Sequence, residues 1–225
     1  MRSVPERARH GFAMTTLNNV IYWIVALLIR IICRINGGLE IRGRENVPAE
    51  GGVLVAANHI SYMDPPLLGA VVPRRATFMA RKGLFDVPVI GWMIKSAAFP
   101  VDRQRTQPST IKETVKRLKR GELIALFPEG RRSDTGELLE ARRGIGMLVS
   151  LSRVPVVPTL IMGSDRALPV DARWMKRAKI TVVFGKPLFF SAAAETKGQG
   201  GHEAHDEISR SIMEEIRKLR EAHGN

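Results

Sequence analysis

The sequence VLVAANHISYMDPPLL, from Val53 to Leu68, sets the arrangement of the chain. The apolar run at 53–57 is typical of a buried strand. Pro65-Pro66 then opens a second apolar segment, as proline does in the first turn of a helix. Between the two lie His59 and Asp64. An imidazole can take a proton from a hydroxyl, and a carboxylate on its other nitrogen can fix its tautomer. The spacing alone is weak evidence, because a surface histidine and a capping aspartate give the same pattern.

Further apolar runs alternate with helical segments along the chain. The pattern predicts strands at 39–42, 53–57, 77–80, 98–101, 123–127, 154–161 and 180–184. It predicts helices at 17–35, from Pro65-Pro66 onward, at 108–120, over about two turns that end at Ser152, and at 207–220. This alternation predicts an α/β fold with a mixed, largely parallel sheet flanked by helices. Pro155 and Pro158 interrupt one strand, so at least one of them is expected at a strand end or a sheet edge.

Three charged loops follow predicted strands: His59 to Asp64, Asp102-Arg103, and Glu129 to Ser133. In α/β sheets, ligands bind beyond the carboxyl ends of the strands. The three loops therefore predict a common site at that edge.

The composition indicates which classes of molecule the protein is suited to bind. The chain has 225 residues, enough for one domain with a substantial core, and 35 Lys+Arg against 22 Asp+Glu give a net charge of +13. Such a surface favours polyanions: nucleic acid, an anionic membrane or phosphorylated substrates. The single cysteine, Cys33, excludes an intrachain disulfide framework and indicates a reducing compartment.

The most apolar stretch, residues 17–35, predicts a membrane-associating helix after a loose, basic N-terminal arm at 1–13. Its uncharged apolar core is shorter than the ~20 residues that span a bilayer. We expect it to lie in one leaflet, with Tyr22 and Trp23 at the interface and Arg30 and Arg34 at the headgroups. The alternative is an ordinary buried core helix.

Four ordered segments resemble the glycerolipid acyltransferases, and among them the bacterial 1-acylglycerol-3-phosphate acyltransferases. Asn58 to Asp64 resembles the NHx4D block, and Phe99 to Arg103 the second block, which ends in a substrate-binding arginine. Phe127 to Ser133 resembles the FPEGTRS block, and Val154 to Pro158 the fourth block, which carries proline. The match runs from about Leu39 to Phe190.

The resemblance implies a division of the chain and a reaction. Residues 1–36 would form the arm and membrane-associating helix, 37–191 the acyltransferase domain, and 192–225 a flexible link and a C-terminal helix that packs on the domain. The enzyme would transfer an acyl chain from acyl-CoA or acyl carrier protein to the sn-2 hydroxyl of lysophosphatidic acid. It would work at the cytoplasmic face of a membrane, as a monotopic or peripheral protein, with no cofactor, no metal and no nucleic acid.

The resemblance also implies roles for single residues. His59 would be the general base and Asp64 its orienting carboxylate. Arg103 and Arg132 would bind the acceptor's phosphate, because a guanidinium can hold two phosphate oxygens. The remaining candidates for substrate binding are Arg81, Lys82, Glu129, Gly130 and Arg131. Ser61 is interpreted as a loop or capping serine, because the chain has no G-x-S-x-G elbow.

Two departures from the family pattern leave the acceptor open. Arg131 replaces a threonine of the third block, and Ala97-Ala98 stand where a glycine commonly begins the second. The same chemistry on glycerol 3-phosphate or a lyso-aminolipid is one alternative, and a non-enzymatic basic lipid-binding protein is another. His202 and His205 fall in a predicted Gly-rich link and make a poor metal site.

Overall fold

The structure, a computed structural model, describes residues 6–87, 91, 94, 97–101, 108–172, 174–190 and 199–224. Within these residues lies a seven-stranded sheet of order β1-β7-β6-β2-β5-β3-β4. Its strands are β1 Leu39–Arg42, β2 Val53–Ala57, β3 Ala76–Arg81, β4 Ala98–Val101, β5 Leu123–Leu126, β6 Val156–Met162 and β7 Ile180–Phe184. All neighbouring strands pair in parallel except β6 and β7. The predicted mixed, largely parallel sheet is therefore confirmed.

Strand β2 lies at the centre of the sheet between β5 and β6, and all five of its residues are buried. This explains its unbroken apolar sequence, since a strand covered on both faces has no polar side. Val53, Val55 and Ala57 belong to one hydrophobic core, and Leu54 and Ala56 to the core on the opposite face.

The helices are α1 Glu6–Ile35, α2 Asp64–Val71, α3 Pro108–Lys119, α4 Gly144–Ser152, α5 Ser164–Ala167 and α6 Gln199–His223, with 3-10 turns at Arg44–Asn46 and Lys82–Asp86. Helices α1 and α2 contribute to the first core, and α3, α4 and α6 to the second. The result is the expected sandwich of a sheet between two layers of helices.

The two prolines of the sixth strand occupy different positions. Pro155 precedes β6, so it marks a strand end as predicted. Pro158 lies within β6, between two neighbouring strands. The regular ladder to β7 ends at Thr159, and Pro158 only accepts a hydrogen bond there, from the N–H of Gly185 at 2.7 Å. The missing N–H of proline therefore falls where the antiparallel ladder is already interrupted.

Helix α1 already begins at Glu6, so the loose arm predicted for 1–13 is wrong from that residue onward. Tyr22 is buried against the domain, where its hydroxyl donates to Gly69 O at 2.9 Å and accepts from Ala76 N–H at 3.1 Å. The expected interfacial position of Tyr22 is therefore wrong, because these two backbone groups bind its hydroxyl instead.

The other side of α1 faces outward. The 18-residue window Asn18–Ile35 is long and apolar enough, by length and composition, to cross a membrane, and only 17% of it is buried. Buried positions Tyr22, Ala26 and Cys33 follow helical spacing and define the docked side. The exposed apolar stripe comprises Val20, Trp23, Ile24, Leu27, Leu28, Ile31, Ile32 and Ile35. The alternative of an ordinary buried core helix therefore fits one side of α1 only.

The C-terminal helix begins earlier than predicted, at Gln199 rather than at residue 207. The part of the predicted link at 199–201 is thus helical, and residues 191–198 lie outside the described residues. The added turns are stabilised by contacts with α4 and with the residue that precedes it. Asp206 forms a bidentate ion pair with Arg143, in which both hydrogen bonds are 2.7 Å long. A Cβ on Gly146 would lie 1.9 Å from His205 O, so the two helices touch closely there. The predicted apolar stripe at Ile208, Ile212, Ile216 and Leu219 packs into the second core.

Candidate active site

The carboxyl ends of the parallel strands bring two of the predicted site loops, those at 59–64 and 129–133, to one edge of the sheet, which we call the catalytic edge. His59 follows β2, and Glu129 follows the neighbouring strand β5. The N–H of Ser133 donates to His59 O at 2.7 Å, so the two loops are bonded to each other. On the other side, Ser164 follows β6.

His59 and Asp64 are in direct contact. His59 Nδ1 lies 2.9 Å from Asp64 Oδ2, and the Asp64 side chain is fully buried. The same oxygen accepts the N–H groups of Ile60 and Ser61, each at 2.7 Å, while Oδ1 accepts the Ser164 hydroxyl at 2.6 Å. A carboxylate surrounded by donors places the proton of a neutral imidazole on Nδ1. His59 Nε2 is then left free to accept a proton.

The His59 ring is also held from its face. It stacks on Phe127 with ring centroids 4.2 Å apart and an interplanar angle of 22°. The side chain is 12% exposed, which leaves an edge of the ring open to a substrate. A base with a fixed tautomer and a fixed ring plane is already oriented for proton abstraction. Neither Phe127 nor Ser164 was singled out from the sequence for this purpose, because stacking and long-range hydrogen bonds leave no local signal.

Asn58 has a structural role that the sequence did not reveal. Its side-chain amide accepts the N–H of Ile161 at 2.7 Å and donates to Ile161 O at 3.0 Å. It thereby continues the pairing of β2 with β6 one residue beyond the strand and positions His59. Ser61 is 1% exposed and donates to Leu168 O at 3.1 Å, in agreement with the interpretation of a structural serine.

Glu129 approaches the catalytic loop from β5. It is 3% exposed, and its Oε1 accepts the N–H of His59 at 3.4 Å. Its Oε2 is buried and, within the described part of the chain, lacks a well-formed hydrogen bond. Burial raises the pKa of Glu129 to about 7; the backbone amide of His59 opposes the shift, and the charge of Asp64 adds to it. Glu129 thus lies behind His59 as a group that titrates near neutral pH.

Gly130 allows a tight turn after β5. Its N–H donates to Phe127 O at 3.0 Å, and its φ is +67°. A Cβ there would lie 2.5 Å from atoms near the end of the Arg142 side chain, which would have to move aside, so the position favours glycine mainly for its conformation.

Arg132 is held close to the catalytic loop. Its guanidinium carbon lies 4.1 Å from the centroid of the Tyr62 ring, and one terminal nitrogen donates to Asp134 Oδ1 at 3.1 Å. Its Nε and its other terminal nitrogen are buried without a hydrogen-bond partner among the described residues. N–H groups on these two nitrogens of a partly buried guanidinium can bind the oxygens of an oxyanion. Arg131, next to it, is exposed.

The remaining predicted cations are less well defined. Arg81 ends β3 and Lys82 begins the following 3-10 turn, so both lie at the catalytic edge, two strands from β2. Lys82 is exposed. Arg103 lies outside the described residues, two positions after β4 ends.

In the described part of the chain, no three His, Cys, Asp or Glu side chains come together in a way that could hold a metal ion. His202 and His205 lie in the first turns of α6 rather than in the predicted link, which corrects their placement.

Comparison by sequence matches this chain to acyltransferases. The acyltransferase family model matches residues 38–162. A Bacillus subtilis protein named 1-acyl-sn-glycerol-3-phosphate acyltransferase is 33% identical over 169 residues, which cover 74% of this chain and 82% of that protein. A Saccharomyces cerevisiae protein of the same name is 29% identical over 203 residues, covering 85% of this chain and 66% of the relative.

Among solved structures, the chain resembles one described as the 1-acyl-sn-glycerophosphate (LPA) acyltransferase, PlsC, from Thermotoga maritima. The TM-score is 0.63, with 23% identity, over 85% of this chain and 79% of the other. At this identity the likeness shows the fold alone.

Proposed function

The chain belongs to the acyltransferase family, and from this premise we propose that it transfers an acyl chain from an acyl thioester to the sn-2 hydroxyl of lysophosphatidic acid, giving phosphatidic acid for phospholipid synthesis. The observation that carries the proposal is the His59–Asp64 pair, 2.9 Å apart within the matched residues. The relatives named 1-acyl-sn-glycerol-3-phosphate acyltransferase supply the acceptor.

The proposed chemistry needs one base and no covalent acyl-enzyme. His59 Nε2 takes the proton of the acceptor hydroxyl while that oxygen attacks the thioester carbonyl. The tetrahedral intermediate collapses as its carbon–sulfur bond breaks, and the proton on Nε2 passes to the departing thiolate. General-base assistance of this kind contributes about 10²–10⁴-fold. Asp64 holds the Nδ1 proton and stabilises the imidazolium that forms between the two steps.

Arg132 is the proposed anchor for the acceptor's phosphate. Among the described residues its Nε and one terminal nitrogen have no hydrogen-bond partner, and the N–H of the adjacent Ser133 is bonded to the catalytic loop at His59 O. Tyr62, 69% exposed, lies over the face of the guanidinium, which leaves the in-plane N–H groups to a phosphate. Arg103 stays proposed as the second arginine on the phosphate. Arg81, Lys82 and Arg131 are proposed as assisting cations, and Glu129 and Gly130 as walls of the same pocket.

Attachment to a membrane is proposed through α1. Its docked side is bonded to the domain at Gly69 and Ala76, while the apolar stripe on the other side is open. A helix that keeps one side on the protein is suited to lie in one leaflet rather than to cross the bilayer. The single cysteine and the net charge of +13 favour the cytoplasmic face, where anionic lipids attract basic proteins. Residues 1–36, 37–191 and 192–225 remain the proposed divisions.

The test is acyl transfer by the purified chain. Each of lysophosphatidic acid, glycerol 3-phosphate and a lyso-aminolipid is offered with acyl-CoA and, separately, with acyl carrier protein, because both donors present the same thioester. We expect lysophosphatidic acid to be acylated with the highest kcat/KM, and His59→Ala to abolish most of this rate while the fold is retained. Preference for another acceptor would overturn the assigned substrate, and transfer to none would overturn the function.

A further inference from the structure

The segment between β6 and β7 carries an aromatic side chain that the fold does not use. Trp174 is 82% exposed, although tryptophan is highly buried on average. Lys176 and Arg177 follow it, both exposed and without an ion-pair partner among the described residues. We call the described residues 168–172 and 174–177 the basic loop.

The basic loop is fixed to the end of α1. Asn36, just after this helix, donates from its side chain to Lys176 O at 2.7 Å and accepts the N–H of Ala178 at 3.1 Å. A Cβ on Gly37 would lie 2.5 Å from the backbone of Ala178, so the two segments touch closely. Ile35, 78% exposed, ends the apolar stripe of α1 at this point. The backbone at Lys176, two residues after the exposed tryptophan, is therefore bonded to the chain at the end of the stripe.

The basic loop is also hydrogen-bonded to residues at the catalytic edge. It starts from the carboxyl end of β6 and returns into β7, which runs antiparallel to β6. The N–H of Lys176 donates to Ala167 O at 2.8 Å, and the hydroxyl of Ser61 in the catalytic loop donates to Leu168 O at 3.1 Å. The loop thus connects the end of α1 with the segment that carries His59.

We propose that the basic loop is a second membrane contact, with Trp174 inserted among the headgroups of an anionic bilayer and Lys176 and Arg177 on their phosphates. This inference rests on the proposed attachment through α1. Tryptophan is the side chain most suited to the membrane interface, since one part of it is apolar and its N–H is polar. Each adjacent cation adds attraction to an anionic surface. A helix in the interface can rotate about its own axis, and a second contact beside it fixes that rotation. The catalytic edge is then turned toward the lipid.

The first test reads the environment of Trp174 directly. In a full-length chain with Trp23→Phe and Trp92→Phe, Trp174 is the single tryptophan. We expect its emission to shift to the blue, and lipids brominated near the headgroup to quench it, when vesicles containing phosphatidylglycerol are added. The matched control adds Trp174→Phe and Phe189→Trp, which moves the reporter to another exposed aromatic position at the opposite edge, where residue 188 pairs with the start of β6. That reporter is expected to show neither effect.

The second test separates the loop from α1. Lys176→Ala with Arg177→Ala should weaken binding to anionic vesicles on the order of twentyfold at low salt, with little change on zwitterionic vesicles. Trp174→Ala should lower the ratio of the rate on vesicle-borne acceptor to the rate on a monomeric short-chain acceptor by about tenfold, whereas Phe189→Ala should leave that ratio unchanged.

The results that would refute the second membrane contact differ from the result that would refute the proposed function. Vesicles that sediment with the protein but leave Trp174 emission unshifted would overturn the second contact and leave attachment through α1 intact. An equal fall of both rates in Trp174→Ala would also overturn it, since the side chain would then contribute nothing specific to the vesicle-borne acceptor. Loss of activity on every acceptor by the unaltered chain would instead overturn the proposed function.

Discussion

Asp64→Asn separates the charge of this residue from its shape. The amide oxygen can take the place of Oδ2 and still accept from His59 Nδ1, Ile60 and Ser61. The amide NH₂ then meets Ser164 Oγ, which can turn from donor to acceptor. The tautomer of His59 is therefore kept, and only the negative charge beside the imidazolium is lost. For a pair of charges about 4 Å apart near a protein surface, that interaction is worth about 4 kcal/mol at most.

We therefore expect Asp64→Asn to lower kcat by about 10²–10³-fold and to change both KM values little. The assay is the initial rate at saturating donor and acceptor, with circular dichroism to show that the fold is kept. Ser164→Ala is the matched control, because it removes one hydrogen bond from Asp64 and leaves the charge; its rate should fall less than about tenfold. In a His59→Ala background, Asp64→Asn should add almost nothing, since the carboxylate acts through the imidazole. A folded Asp64→Asn enzyme with nearly normal kcat, or full additivity of the two changes, would refute this mechanism.

Glu129 binds more protons in the folded than in the unfolded chain between its ordinary pKa, 4.5, and about 7, so its carboxylate lowers stability as the pH rises through this range. Glu129→Gln should raise the free energy of unfolding at pH 8 by up to about 3 kcal/mol, as measured by urea denaturation. If this increase in stability did not disappear as the pH falls toward 4, the result would contradict the reasoning. Arg132→Ala should raise KM for lysophosphatidic acid far more than for the donor, with partial rescue in Arg132→Lys and no effect of Lys119→Ala. Equal rises for both substrates would indicate a structural arginine. Ile24→Gln with Leu28→Gln should release the protein from vesicles, whereas high salt alone should not release the unaltered chain; complete release by salt would refute hydrophobic attachment.

The sequence predicted those parts of the fold where burial dictates residue type. Strands β1, β2, β4 and β7 begin and end where expected. Gly38 and Gly43 flank β1, and Lys179 and Gly185 flank β7, so the ends of these two strands are marked in the sequence. The ends of helices were less predictable. Helix α6 extends back to Gln199 through contacts with α4, such as Arg143 with Asp206, that no local pattern contains.

The candidate site also contains some residues that the sequence could predict and others that it could not. His59, Asp64 and Glu129 could be assembled from the sequence, because the ends of parallel strands meet at one edge. The partners that fix them could not: Ser164 lies 100 residues from Asp64, and Phe127 reaches His59 through a ring contact. Tyr22 was misjudged for a related reason. An exposed and a buried tyrosine look alike in an apolar helix until the backbone groups that bind its hydroxyl are known.

The course of α1 relates the proposed membrane contact to the proposed chemistry. Tyr22 is bonded at Ala76, where β3 begins, and Asn36 is bonded to the basic loop at the catalytic edge. The helix therefore crosses one face of the sheet from the opposite edge to the catalytic edge. Its end precedes β1, three strands from β2, which is about 14 Å at the usual strand spacing. On the proposed attachment, the catalytic edge that carries His59 and Arg132 is then turned toward the bilayer that holds the acceptor.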